Sequence, residues 1–311
     1  MKESEIKVSI VLLTYFHEKY LERMLQSIFS QKFDARYEII IADDCSKDNT
    51  INIIKEWQEK YPEIIYPILN QENQGICRNE YNGLMQCRGK YITISAGDDY
   101  WTDERRLEKQ CAFLDKHLDY FADCTLMEFR YTDGASTGRI SLEEKYWDKE
   151  FPKEDYYKRK FFGDGGMLFR NVFEDAAARD KFSLLYKFSR VIEDIILDFF
   201  MFDYGKVHIT DYVGYCQTVR RESDRNEHNY NSLYIGIKNI VNYLIVIHNI
   251  DCYYGHKICL KEWYKPYFGH LLYFIIKKHR FGAIRYLQYV PIKYIPGFLW
   301  DMVKEQRNKE I

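Results

Sequence analysis

Residues 91–101 read YITISAGDDYW. Tyr91–Ala96 is a run of strand length without a charged residue, and Gly97, Asp98 and Asp99 follow it at once. Such a run, bounded by turn residues, is the pattern of a strand buried on both faces, with the acids at its carboxyl end. Moving towards the N-terminus, the same punctuation recurs. Gly75 to Cys87 reads as a helix, Ile64 to Leu69 as a strand, and Asp48 to Tyr61 as a helix with Ile51, Ile54 and Trp57 or Gln58 on successive turns. Ser46 or Asp48 suits the N-cap of that helix. Tyr37 to Ala42 (YEIIIA) is another buried strand, Glu18 to Gln31 a helix carrying Leu21, Leu25, Ile28 and Phe29, and Val8 to Leu13 the first strand. Strands recurring about every 30 residues with helices between them are βαβ units, which build a parallel sheet covered on both faces. The expected class is α/β. In open sheets of this kind ligands bind beyond the carboxyl ends of the strands. Here those ends are Thr14-Tyr15, Asp43-Asp44 and Asp98-Asp99.

Towards the C-terminus the pattern changes. Arg105 to His117 reads as a helix with Leu107, Cys111 and Leu114 on one face. Residues 119–170 are mixed and include the run Gly163-Asp164-Gly165-Gly166, and Ser189 to Phe202 is again helical. Beyond about residue 225 the chain turns helical, aromatic and basic. Residues 255–311 hold 11 Lys/Arg against 4 Asp/Glu, a net of +7, which leaves −9 on residues 1–254. The expected organisation is an α/β domain over 1–225, divided at about 105/106 where the pattern changes, followed by a helical region over 226–311.

The composition excludes several classes. With 46% hydrophobic and 30% charged residues the chain is globular, and its 311 residues suit two domains. A net charge of −2 gives no footprint of a nucleic-acid binder. The eight cysteines form no CxxC pair and no cluster with His, which suits reduced thiols in the cytoplasm. Met1 to Lys7 is charged, unlike a signal peptide, and the longest apolar runs, such as Leu271 to Ile276, fall far short of the roughly 20 residues of a bilayer span. The aromatic share of 17%, with 28 Tyr, suits a wet cleft, carbohydrate contact or a membrane interface, or reflects codon bias.

Three acidic sites carry the chemistry. Asp98 and Asp99 at a strand end can hold a hard divalent cation through oxygen, with substrate phosphates completing its shell. Asp43 or Asp44 can accept from a uracil N–H or a ribose hydroxyl. Glu193-Asp194, flanked by isoleucines in VIEDIILDFF, offers a partly desolvated carboxylate as a general base. The plainer alternative for the first two is turn or cap chemistry, and for Glu193-Asp194 an acid on a solvated helix face. A dinucleotide-binding oxidoreductase needs a glycine-rich turn after the first strand, and TYFHEKY (14–20) has no glycine. A phosphate-binding GxxxxGK[ST] loop is also absent from the sequence.

Taken together, VSIVLLTYF (8–16), YEIIIADDCSKDNT (37–50), NQENQGICRNEYNGLMQCRGKYITISAGDDYW (70–101) and the later ED resemble the family 2 glycosyltransferases, inverting nucleotide-sugar enzymes of GT-A fold. The resemblance covers roughly residues 6 to 225, and DDYWTDERRLEKQCAFLD (98–115) is closest to bacterial members that build surface polysaccharides. It implies that residues to about 105 form a nucleotide-binding half and about 106–225 an acceptor half of a catalytic domain, that Thr14 and Tyr15 contact the nucleobase, and that Asp44, with Asp43 beside it, binds uracil. Arg78 is expected to approach the base or a phosphate, Asp98 the ribose, and Asp99 an Mn²⁺ or Mg²⁺ ion that bridges the diphosphate. Asp194 is expected to deprotonate the acceptor hydroxyl. Leu13 and Phe16 depart from the Pro or Thr and the Asn common at their positions. Arg220, in Tyr215–Arg221, stands where members often carry a His on the metal or phosphates, and suits a diphosphate directly.

The implied partners are a UDP-sugar and a glycan or lipid-linked glycan acceptor; the alternative is a non-catalytic sugar- or nucleotide-binding protein on the same fold. The basic aromatic stretch LLYFIIKKHRFGAIRYLQYVPIKYIPGFLW (271–300) is expected either to lie peripherally on the inner face of the cell membrane, or to pack on the catalytic domain or a second subunit in a homodimer.

Overall fold

The computed structural model describes residues 5–158, 164–221 and 237–307. They fall into two compact units, one of residues 1–151 and 161–224, the other of 152–160 and 225–311. The expected boundary at 225/226, and Gly163 of the glycine run, lie outside the described residues.

The first unit is built on a ten-stranded sheet. Its parallel half comprises β1 (Val8–Thr14), β2 (Tyr37–Asp43), β3 (Ile65–Leu69) and β4 (Tyr91–Ala96), in the order β3-β2-β1-β4. The helices α1 (Leu21–Phe29), α2 (Thr50–Lys60) and α3 (Ile76–Leu84) connect them. Every residue of β1 is buried, as a strand covered on both faces requires. On α1 the buried positions Leu21, Met24, Leu25 and Ile28 make one stripe at helical spacing. The register sets Thr14 opposite Asp43 and Leu13 opposite Ala96, so the three polar strand ends share one edge.

The other half of the sheet is mixed. After the two-residue β5 (Tyr100–Trp101) and α4 (Arg106–Lys116) come β6 (Tyr120–Tyr131), β7 (Ser136–Ile140), β8 (Lys149–Glu150), β9 (Met167–Arg170) and β10 (Lys206–Val219). The order continues β4-β9-β6-β10-β5, with β9 antiparallel to both neighbours. In the short β5 pairing, Trp101 lies opposite Tyr215 and Tyr100 opposite Cys216, which brings the end of β10 beside Asp98 and Asp99. Arg106 is fully buried beneath, donating to Gln110 and Thr93 with its guanidinium 4.4 Å over the Trp101 ring. Burial lowers its pKa to about 10, which leaves it charged at neutral pH.

The helix expected from Ser189 starts later. The Ser189 hydroxyl accepts the N–H groups of Val191 and Ile192, an alternative to helical bonding, and α8 spans Asp194–Met201. Between α4 and α8 lie the short α5 (Lys153–Tyr157), α6 (Ala176–Phe182) and α7 (Leu184–Phe188).

The second unit holds α9 (Ile237–Tyr253), α10 (Lys261–Ile276) and α11 (Ile295–Arg307), with 3-10 turns over Phe281–Tyr289 and Ile292–Tyr294. Tyr264, Phe268, Leu271 and Ile275 form the buried stripe of α10, and Phe268 meets Phe298 of α11 at 5.2 Å between ring centroids. Residues 152–160 belong here rather than to the acceptor half: buried Tyr156 of α5 packs on Trp263, whose indole N–H donates to the Tyr156 carbonyl at 2.9 Å. Among the described residues no helix is long and apolar enough to cross a membrane.

Candidate functional site

At the ends of β1 and β2 the acids organise loops. Asp43 is fully buried and accepts from the Thr14 hydroxyl (2.9 Å), the Ser46 N–H (2.8 Å) and the Ser46 hydroxyl (2.6 Å). The Ser46 and Thr50 hydroxyls in turn accept the N–H groups of Phe16 and His17. Asp48 accepts from the N–H of Thr50 and of Glu18, the cap chemistry its position suggests. Phe16 and Cys45 take left-handed backbone conformations, φ 58° and 69°. Each costs on the order of 1–3 kcal/mol for a non-glycine residue, held here by the surrounding hydrogen bonds.

Asp44 ties this edge to the loop before α3. Its carboxylate accepts from the Gln74 N–H (2.7 Å) and the Gly75 N–H (2.9 Å), and the Asn73 side chain donates to its carbonyl. Asn79, buried and not singled out by sequence, braces the same loop through Asn70 and the Ala42 carbonyl. Tyr15 stands at the rim in contact with Asn73, its phenol pKa raised by partial burial and the Asp44 charge. Gly75 has φ +87°, and a Cβ there would fall 2.3 Å from Cγ of Arg190. The Arg190 guanidinium donates to the carbonyl (2.5 Å) and side-chain oxygen (2.8 Å) of Asn73. Arg78 lies close by in sequence, but its guanidinium rests 3.9 Å from the Tyr186 ring of α7.

The second cluster surrounds the end of β4. Asp98 is partly open: its Oδ2 accepts from Arg220 at 3.0 Å, and its Oδ1 lies 3.7 Å from Nε2 of His17. Arg23 donates to the Asp98 carbonyl and to the Thr218 hydroxyl, with its guanidinium 4.1 Å over Tyr100. Asp99, the expected metal ligand, has both oxygens in hydrogen bonds to the protein. It is buried, Oδ1 accepts the Thr218 N–H at 2.7 Å, and Oδ2 accepts the Tyr215 hydroxyl at 2.8 Å. Burial first, and the Asp98 charge second, push its pKa well above the usual carboxylate range. Gly97 leaves the room that His17 needs, since a Cβ would lie 2.9 Å from its Nδ1.

His17 is the functional candidate that sequence reasoning missed. Its only signal was a lone ring nitrogen source in the turn after β1. Burial lowers its pKa, with Asp98 opposing, so the ring is neutral at neutral pH and able to ligate. Its Nδ1 is buried without a hydrogen-bond partner. Among the described residues no three His, Cys, Asp or Glu side chains gather as a preformed metal cage. What is present, Asp98 Oδ1 beside the neutral His17 ring, fits a cation that draws its remaining ligands from a bound phosphate.

Asp194 and Glu193 lie at the start of α8, both partly buried, with Asp194 Oδ1 accepting the Ile195 N–H. The structure therefore gathers Thr14, Tyr15, Asp43 and Asp44 around one loop, and Asp98, Asp99 and Arg220 around the next. Asp194 is joined to the first group by the segment that carries Arg190.

Residues 9–176 match the family described as Glycosyl transferase family 2. The chain is 38% identical over 114 residues to the putative glycosyltransferase EpsE of Bacillus subtilis, covering 37% of this chain and 40% of that protein. It is 28% identical over 141 residues to the poly(ribitol-phosphate) beta-N-acetylglucosaminyltransferase TarS of Staphylococcus aureus, covering 45% of this chain and 24% of TarS. The chain thus spans under half the length of the curated relatives it matches. A crystal structure of S. aureus TarS residues 1–349 in complex with UDP-GlcNAc superposes with a TM-score of 0.62 at 18% identity, covering 93% of this chain and 83% of that one. The sheet unit has the GT-A fold of that structure, and the chain also carries a helical C-terminal region.

Proposed function

This chain belongs to glycosyl transferase family 2, and we propose that it moves a sugar from a UDP-sugar to a hydroxyl of a glycan or lipid-linked glycan, inverting the anomeric centre. The observation that carries the reading is the convergence of three strand ends at one sheet edge, with Asp44 held by the Gln74 and Gly75 N–H groups and Asp98 by Arg220 and, through its carbonyl, Arg23. The solved neighbour binds UDP-GlcNAc, which makes UDP the nucleotide to try first. In bacterial surface-polysaccharide synthesis such an enzyme works in the cytoplasm, on acceptors presented at the inner face of the cell membrane.

In this reading the uracil packs beside Tyr15 and the 73–75 loop. Asp44 Oδ2, which carries one backbone hydrogen bond, has a lone pair left for the ring N–H. Arg220 meets the diphosphate with a planar fork suited to phosphate oxygens. Asp98 and His17 would hold the divalent ion, Mn²⁺ or Mg²⁺, whose chemistry is to neutralise charge on the departing diphosphate. Asp99 keeps the Tyr215–Thr218 strand in place behind them. Asp194 takes the acceptor proton from the face opposite the leaving group, a contribution of roughly 10²–10⁴-fold. One such attack inverts the sugar.

The test is calorimetry with UDP and with a panel of nucleotide sugars, with and without Mn²⁺, followed by turnover of whichever sugar binds. Metal-dependent UDP binding with transfer to an acceptor is expected. Binding with no turnover of any sugar would instead favour a nucleotide-sugar-binding protein on the same fold.

A further inference from the structure

We propose that residues 273–293 form a surface that docks on an anionic lipid bilayer and lies in its headgroup region. This goes beyond the transfer reaction and rests on the surface of the helical unit alone.

On α10 the buried stripe runs through Tyr264, Phe268, Leu271 and Ile275. Tyr273 and Ile276 therefore fall outside it, and both are exposed. The chain then doubles back. Lys277 and Lys278 donate their N–H groups to the Tyr273 carbonyl, Arg280 donates to that of Phe274, and His279 turns the backbone at φ 50°. The turn that follows meets both α10 and α9, with Ala283 and Val290 buried, and leaves Phe281 60%, Ile284 51% and Ile292 84% exposed. Large apolar side chains grouped this way on a water-facing surface mark an interaction site.

Charge selects the partner. From Trp263 to Trp300 the sequence contains no Asp or Glu, while it contains Lys265, Lys277, Lys278, Arg280, Arg285 and Lys293. Lys265 is paired with Asp301 at 3.1 Å. Among the described residues no ion pair involves the other five. A second copy of the chain would bring those cations against their own kind, whereas anionic headgroups compensate them. The rings next to them suit the same depth: Lys278 lies 5.9 Å from the Tyr273 centroid and Arg285 4.9 Å from that of Tyr286. Tyrosine is a headgroup-level residue, with its apolar body inward and its hydroxyl in water.

The experiment is co-sedimentation of the full chain with vesicles of phosphatidylcholine alone or mixed with phosphatidylglycerol, at low and high salt. Binding to the mixed vesicles only, reversed by salt, is expected. Phe281→Ser and Ile284→Ser should each weaken it about tenfold, the effect of losing one inserted apolar group. Lys277→Gln, Lys278→Gln and Arg280→Gln together should erase the preference for anionic vesicles, with circular dichroism and UDP affinity unchanged in every variant. Failure to bind anionic vesicles at low salt overturns the proposal, as does equal binding to neutral ones. Sedimentation showing a dimer that Phe281→Ser disperses would give the surface to a second copy and overturn it too. None of these outcomes depends on turnover, so the transfer reading stands or falls separately.

Discussion

Thr218 and Tyr215 occupy both oxygens of Asp99, whereas Arg220 takes only one of Asp98. An amide can replace Asp99: its oxygen accepts from Thr218, and its NH₂ donates to a Tyr215 hydroxyl turned to accept. Asp99→Asn should therefore fold normally and keep metal-dependent UDP binding, while Asp98→Asn should lose that binding, as calorimetry would show. The raised pKa of Asp99 adds a pH signature. An acid that holds its proton more tightly when folded favours the native state at low pH, and that advantage is lost as pH rises through the folded value. Asn carries no such charge, so the thermal midpoint of Asp99→Asn should gain on that of the unmodified chain as pH rises from about 4 towards 7. A constant difference across that range would mean that Asp99 is not a strained buried acid. That two acids end this strand was legible in the sequence. Which of them the protein's own donors would engage through both oxygens was not, because adjacent residues point apart and the choice is made by β10, over a hundred residues away in the chain.

The regular alternation of β1 to β4 was readable because each strand is a short, mostly apolar run closed by polar or turn residues and the helices between them carry apolar residues at helical spacing. The insertion of β9 between β4 and β6 was not, since a four-residue strand carries little period and its place is fixed by pairing distant in sequence. The start of α8 was misjudged because a serine hydroxyl captured the first N–H groups. That non-helical segment, 189–193, leads directly to Asp194. Asp194→Asn should lower turnover by two orders of magnitude or more with UDP affinity unchanged, because the amide cannot take a proton. Gly75→Ala meets both a positive φ and the Cγ and carbonyl of Arg190. It should cost about 2–4 kcal/mol by denaturation and, by displacing the 189–194 segment, lower turnover more than UDP affinity. Equal losses in the two would sever the link between the nucleobase loop and the base.

For the whole molecule, the partition of charge between an acidic body and a basic C-terminal region was legible by counting. The membership of residues 152–160 was not, because nine residues inside a long mixed stretch give no sign of where they pack. Yet they sit with α10, where Tyr156 is covered by Trp263. Cutting the chain after residue 224 should uncover Tyr156 and give a protein that aggregates on gel filtration, unless Tyr156→Ser is made with the cut. A soluble, monomeric truncation without that change would show that the nine residues stand alone. The same feature bears on how such a protein can change over generations. The helical unit is not a cassette appended to the catalytic gene: part of it is written into the middle of the sheet's own coding sequence. Recombination at a single junction would deliver it incomplete, so its exchange between relatives requires two coordinated crossovers, and drift by point substitution is the easier route to a new partner.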